Sequence, residues 1–220
     1  MKSVFSSLFL LFVLVNLHAQ SADSLLQKNG ICVNASKMNV LYMGVDNPVE
    51  VYAAGRSADD LLLDLEGGSL QKTTTGHYTA RVNAVGNCTL VVSQNVAGTK
   101  LVLGKYTFKA KRLPDPQATL GGMLRGGKAP VEKILSMKSV VPMLLLFEFD
   151  AEFQVKSFSV SLISNGKISS AGTKGSVFSK EMKELIGSAK TGDMLLVQDI
   201  MVEWPDKSSK EINAVVIKVE

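Results

Sequence analysis

Aromatic and imidazole side chains are scarce: the 220-residue chain holds one Trp, four Tyr and two His. One histidine, His18, lies in the apolar N-terminal stretch, so His77, in a strand-like Thr-Gly-His-Tyr segment, is the single imidazole further on. Zinc chemistry needs several His or Cys at ligand spacing, and neither of the two cysteines neighbours another ligand. Serine hydrolysis of the Gly-x-Ser-x-Gly kind is absent, because no such elbow occurs. Calcium-loop patterns are missing too. The carboxylates Asp59, Asp60, Asp64, Glu66, Asp150 and Glu152 are scattered. Their spacing alone leaves a glycosidase-type pair open, but Asp59-Asp60 reads as a solvated loop. No Lys/Arg-dense patch interleaved with aromatics is present, which argues against nucleic acid as a partner. The expectation is a protein that is not an enzyme, with no cofactor and no metal.

Long hydrophobic runs are missing after the N-terminus. Lys2 gives a short positive start, Val4 to Leu17 is mostly apolar, and Leu17-His18-Ala19 ends on a small residue. That layout predicts a secretory signal peptide over residues 1–19, cleaved between Ala19 and Gln20. The run of about fourteen residues, broken by Ser6, Ser7 and Asn16, falls short of the roughly 20 a spanning helix needs. No membrane span is expected after cleavage, and no Cys follows the cut to carry a lipid. Without Lys2, 23 basic and 20 acidic residues leave a net charge of +3, scattered rather than patched.

Both cysteines, Cys32 and Cys88, lie in the first half. In an exported chain they invite one disulfide. Paired, they would close a loop of about 57 residues and stabilise by roughly 3–4 kcal/mol. Unpaired, they would act as small apolar residues.

What is present is punctuated β-structure. The fold class read from the sequence is mainly β: an immunoglobulin-like β-sandwich over 30–113, a Pro/Gly linker over 114–130, and a second β-rich domain with one α-helix over 131–220. In the first region, predicted strands are Val40–Tyr42, Val49–Ala53, Leu61–Leu65, Leu70–Thr74, His77–Val82, Cys88–Gln94 and Leu101–Lys111. Asn47-Pro48 reads as a turn, and Gly67-Gly68, Thr75-Gly76 and Ala97-Gly98 as breaks. Tyr106 and Phe108 point one way while Lys105, Thr107 and Lys109 point the other. About seven strands at this spacing favour a sandwich.

Leu113-Pro-Asp-Pro116 stops the last strand, since proline cannot donate to a ladder. Gly122-Met-Leu-Arg-Gly-Gly127-Lys128 matches the start of a phosphate-binding loop. Ala129 stands where a Ser or Thr would hold magnesium, and Pro130 follows. A strand before it and a helix after it are required, and neither is predicted. Beyond it, Leu144–Phe149 suits a buried strand. Val155–Ile163 alternates, with Phe158, Val160 and Leu162 on one face and Val155, Ser157, Ser159 and Ser161 on the other. Asn165-Gly166 predicts a hairpin to Ile168–Thr173. Ser179 caps a helix whose Met182, Leu185, Ile186 and Ala189 form a stripe against the sheet. Met194–Trp204 and Lys210–Val219 form a closing hairpin, with Trp204 in the core. Val215–Val219, left as an open edge, would offer strand addition or a homodimer.

Lys37-Met-Asn-Val-Leu-Tyr42 and Gly44-Val-Asp-Asn-Pro48 resemble the periplasmic region of the gliding-motility protein family GldM, also called PorM. Phe108-Lys109, Lys111, Leu113-Pro-Asp-Pro116 and Gly121-Gly122 are similar to the junction before that family's C-terminal domain, and residues 131–220 resemble the domain itself. The likeness implies a periplasmic envelope protein of the type IX secretion and gliding apparatus, with no catalytic residues to carry over. GldM begins with a membrane helix and a long helical segment. The signal here implies a truncated, soluble paralogue of the last two domains. Expected partners are envelope proteins, outer-membrane-side secretion components among them. The rival reading is a secreted adhesion or ligand-binding β-sandwich protein.

Overall fold

The computed structural model describes residues 25–28, 30–35, 39–145, 147 and 151–220. The cleavage site at Ala19-Gln20 and the carboxylate Asp150 lie outside the described residues. Among the described residues, no helix is long and apolar enough to cross a membrane.

The first unit runs through β1 (Leu25–Lys28), β2 (Ile31–Ala35), β3 (Val40–Tyr42), β4 (Asn47–Ala53), β5 (Leu61–Glu66), β6 (Gly68–Thr74), β7 (His77–Val82), β8 (Gly86–Val96) and β9 (Thr99–Lys111). Two sheets face each other, in the orders β1-β2-β4-β7-β6 and β3-β9-β8-β5. This is the expected sandwich. Strand alternation builds it: Tyr106, Phe108 and Ala110 of β9 are buried while Lys105, Thr107 and Lys109 are exposed. Tyr106 lies over Gly104, where an added Cβ would come 2.8 Å from the ring. Its hydroxyl donates to the Ile31 carbonyl across the core at 3.1 Å.

Two readings of this region change. The strand Ile31–Ala35 escapes the sequence pattern, although Ile31, Val33 and Ala35 alternate inward as a strand requires. Asn47-Pro48 is no turn. Asn47 opens β4, and Pro48 pairs with Thr79.

The second unit contains β10 (Gln117–Leu120), β11 (Gly127–Ala129), α1 (Val131–Ser136), β12 (Val140–Met143), β13 (Gln154–Ser164), β14 (Lys167–Lys174), α2 (Lys180–Gly187), β15 (Met194–Glu203), β16 (Ser209–Ile212) and β17 (Val215–Val219). Its main sheet has the order β11-β17-β15-β13-β14, with β16 also on β15. A ladder of β10 and β12 and both helices share the core on one side of that sheet. The Asn165-Gly166 turn takes positive φ at both residues, 51° and 73°, and joins β13 to β14 as expected. Ser179 accepts the Met182 amide at 3.3 Å and caps α2, whose Met182 and Ile186 are buried.

Several expectations here are corrected. Residues 114–130 hold β10 and β11 rather than a bare connector, and Ala118, Leu120 and Ala129 are buried in the second core. A Pro/Gly-rich composition hid three small or apolar anchors. A second helix, α1, does follow the phosphate-loop look-alike. Even so, Gly127, Lys128 and Ala129 spend their backbone on a parallel ladder with β17, so they form no phosphate cradle. The strand placed at Leu144–Phe149 is instead β12, at Val140–Met143; Leu146, Glu148 and Phe149 lie outside the described residues. Val155 joins Phe158 and Val160 in the core, because a register shift between Val155 and Ser157 turns the strand over. Finally, β17 is not an open edge: it lies between β15 and β11.

Candidate functional site

A cleft of about 1050 Å³ lies where the two units meet. The loop between β3 and β4 supplies one wall, with Gly44, Val45 and Asp46. The turn after β15 supplies the facing wall, with Trp204, Pro205 and Lys207. Asn47 shapes the first wall from inside. Its side chain is buried, accepts the Tyr42 amide at 2.7 Å, and donates to the carbonyls of Tyr42, Val45 and Ala80 at 2.9, 3.0 and 3.1 Å. With the loop so tied, Val45 enters the core of the second unit, where Leu113 also packs. The Tyr42 ring meets Phe147 edge-on at 5.0 Å, and Phe153 meets Trp204 the same way at 5.5 Å. Trp204 is buried, as expected of a core residue. At Gly44 the units touch through backbone: a Cβ there would lie 2.6 Å from the Asp206 nitrogen.

Four of the five ionisable groups that line the cleft are ion-paired, and the fifth, Glu152, is exposed. Arg81 donates from Nε to Asp46 at 2.6 Å, which raises the guanidinium further above its usual range. Glu203 receives Lys156 at 2.8 Å and Lys207 at 3.3 Å. Hydrogen bonds from Lys156 and then Lys207 hold its carboxyl below the usual carboxylate range. A general acid needs the opposite shift, so Glu203 is a fixed anion in the wall.

The other candidates do not converge. His77 is half exposed, with Nδ1 at 3.7 Å from Glu50. Asp59 is bound by Lys72 and Thr75, which lower its pKa. Asp60, Asp64, Glu66 and Glu152 are exposed. Among the described residues, no group of three His, Cys, Asp or Glu side chains is placed to hold a metal.

The bridge expected between Cys32 and Cys88 is not formed; both are free thiols. Strand alternation separates them. Cys32 sits between buried Ile31 and Val33, opposite the exposed Tyr52, and so faces away from the core. Cys88, on the other sheet, belongs to that core, and burial pushes its thiol pKa up. In the native protein a thiol-specific reagent should modify Cys32 promptly and Cys88 only slowly, with two thiols counted after unfolding without reductant. A count of zero would restore the disulfide.

The family model of the GldM third domain matches residues 30–111, and that of the GldM C-terminal domain matches residues 114–220. The chain belongs to the GldM family. No curated protein matches it. The boundary between the two GldM matches falls at Leu113, the residue that already packs in the second core. GldM domains imply a component of the gliding-motility and type IX secretion apparatus. The residues that weld the GldM pair, Gly44 and Asn47, carry no sequence signal of that role beyond lying in the Gly44-Val-Asp-Asn-Pro48 block.

Proposed function

We propose that this chain is an exported, non-catalytic module that works in the periplasm by holding envelope proteins of the gliding-motility and type IX secretion apparatus, on the outer-membrane side. The observation that carries the reading is the tandem of GldM third and C-terminal domains, joined by a buried apolar and backbone contact. The ion-paired walls of the cleft support it, because charges fixed to one another serve structure rather than proton transfer.

The full chain, tagged and recovered from envelope extracts, should bring down components of that apparatus. Recovery of none sinks the reading. Export makes a separate prediction: mass spectrometry of the periplasmic protein should place its N-terminus at Gln20, and a protein that keeps residues 1–19 would exclude the cleavage.

A further inference from the structure

One face of the main sheet in the second unit is packed, and the opposite face is open. Cross-strand register shows what the open face carries. A single rung runs Ile168, Ile163, Met194, Lys218, Lys128 across β14, β13, β15, β17 and β11. The next outward rung runs Ser170, Ser161, Leu196, Val216. Between them lies the inward rung of Leu162, Leu195 and Ile217, all buried. The strands therefore spend apolar residues on both faces, where a sheet with one wet face should alternate apolar with polar. Ile168 is 69% exposed, Val216 44% and Met194 40%. The serines beside this band are already satisfied: Ser161 and Ser170 bond each other at 2.8 Å, and Gln198 donates to Ser161 at 3.2 Å.

Lys218 and Lys128 extend the apolar rung, are exposed, and have no carboxylate partner among the described residues. Glu220 lies two residues beyond Lys218 and Glu132 four beyond Lys128, both exposed and neither in an ion pair among the described residues, while Asp193 accepts the Lys190 amide at 2.8 Å. Glu211 stands on a different rung, opposite Met201. A contiguous apolar band that ends in unpaired cations is a binding surface awaiting both apolar contact and negative charge.

We infer that the open face of this sheet, centred on Ile168, Met194 and Val216, docks a segment of another envelope protein that presents apolar side chains with carboxylates beside them, the carboxylates meeting Lys218 and Lys128. The inference rests on the interaction role proposed above and names its surface.

The test uses the full chain in intact cells, with the photo-crosslinking residue p-benzoylphenylalanine in place of Ile168 or of Val216, and of Tyr52 as a control on the first unit. Both test positions should capture the same partner segment, apolar and containing Asp or Glu, and Tyr52 should not. Lys128→Glu with Lys218→Glu should cut the yield by about tenfold, and the milder Lys128→Gln with Lys218→Gln by less. Capture of a second copy of this chain overturns the inference, as does silence at both positions or a yield indifferent to charge. A captured acidic segment from a protein outside the secretion apparatus would keep the face and refute the proposed function. Silence here, with secretion components still recovered by pull-down, would do the reverse.

Discussion

Asn47→Ala is expected to lower the free energy of unfolding by about 3–4 kcal/mol. The side chain is 1% exposed and satisfies four backbone groups of three residues. Alanine removes all four bonds, and those to the Val45 and Ala80 carbonyls are lost from buried positions. Each buried orphan costs about 1–3 kcal/mol, and the costs are less than additive because the groups share one loop. The loss should extend beyond the first unit, since the loop that Asn47 ties places Val45 in the second core. Urea unfolding measures it, with exposed Asn87→Ala as a control that should stay within about 0.5 kcal/mol. Equal behaviour of the two variants would show that the Asn47 network does not support the junction.

Gly44→Val should cost about 2–5 kcal/mol and loosen the two units from each other. Two effects add. Gly44 has φ of +78°, a conformation that costs a side chain roughly 1–2 kcal/mol. A Cβ would also lie 2.6 Å from the Asp206 nitrogen and 2.8 Å from the Pro205 carbonyl carbon, backbone atoms that cannot swing aside. Overpacking of this kind costs about 1–3 kcal/mol. Gly98 separates the terms: its φ is +83° but nothing lies within 4 Å of its Cβ position. Gly98→Ala should therefore carry only the conformational cost, and Gly44→Ala visibly more. In the Gly44→Val variant, trypsin should also cut sooner after exposed Arg112, between the units. If Gly44→Ala matched Gly98→Ala in stability, the close approach would not matter.

Asn47 lies on a dipeptide that the sequence pattern reads as a turn. Asn47-Pro48 has the composition of a turn because Asn bonds readily to nearby backbone and Pro fixes φ. Both properties serve here at a strand start, and only the fold tells which use is made. The same ambiguity hid residues 117–129: glycines and prolines read as a connector, yet the buried apolar residues there, Ala118, Leu120 and Ala129, are too small or too isolated to leave a periodic signal. The helix α1 was missed for its length, six residues with Ile134 as its one buried side chain. Strong periodicity was read correctly. The alternation of β9, the Asn165-Gly166 hairpin and the Ser179-capped helix all stand where the pattern put them.

By itself the sequence determined a mainly β chain and its GldM kinship, because two-residue alternation, turn chemistry and cap residues are local, and family motifs are strings. The partners across space came only with the tertiary structure. The cysteines face opposite ways, β17 is covered by β11, the β3–β4 loop docks on the turn after Trp204, and Ile168, Met194 and Val216 line up on one face. Each of those depends on register and strand order between residues far apart in the chain, and a one-residue slip would reverse which face every side chain occupies.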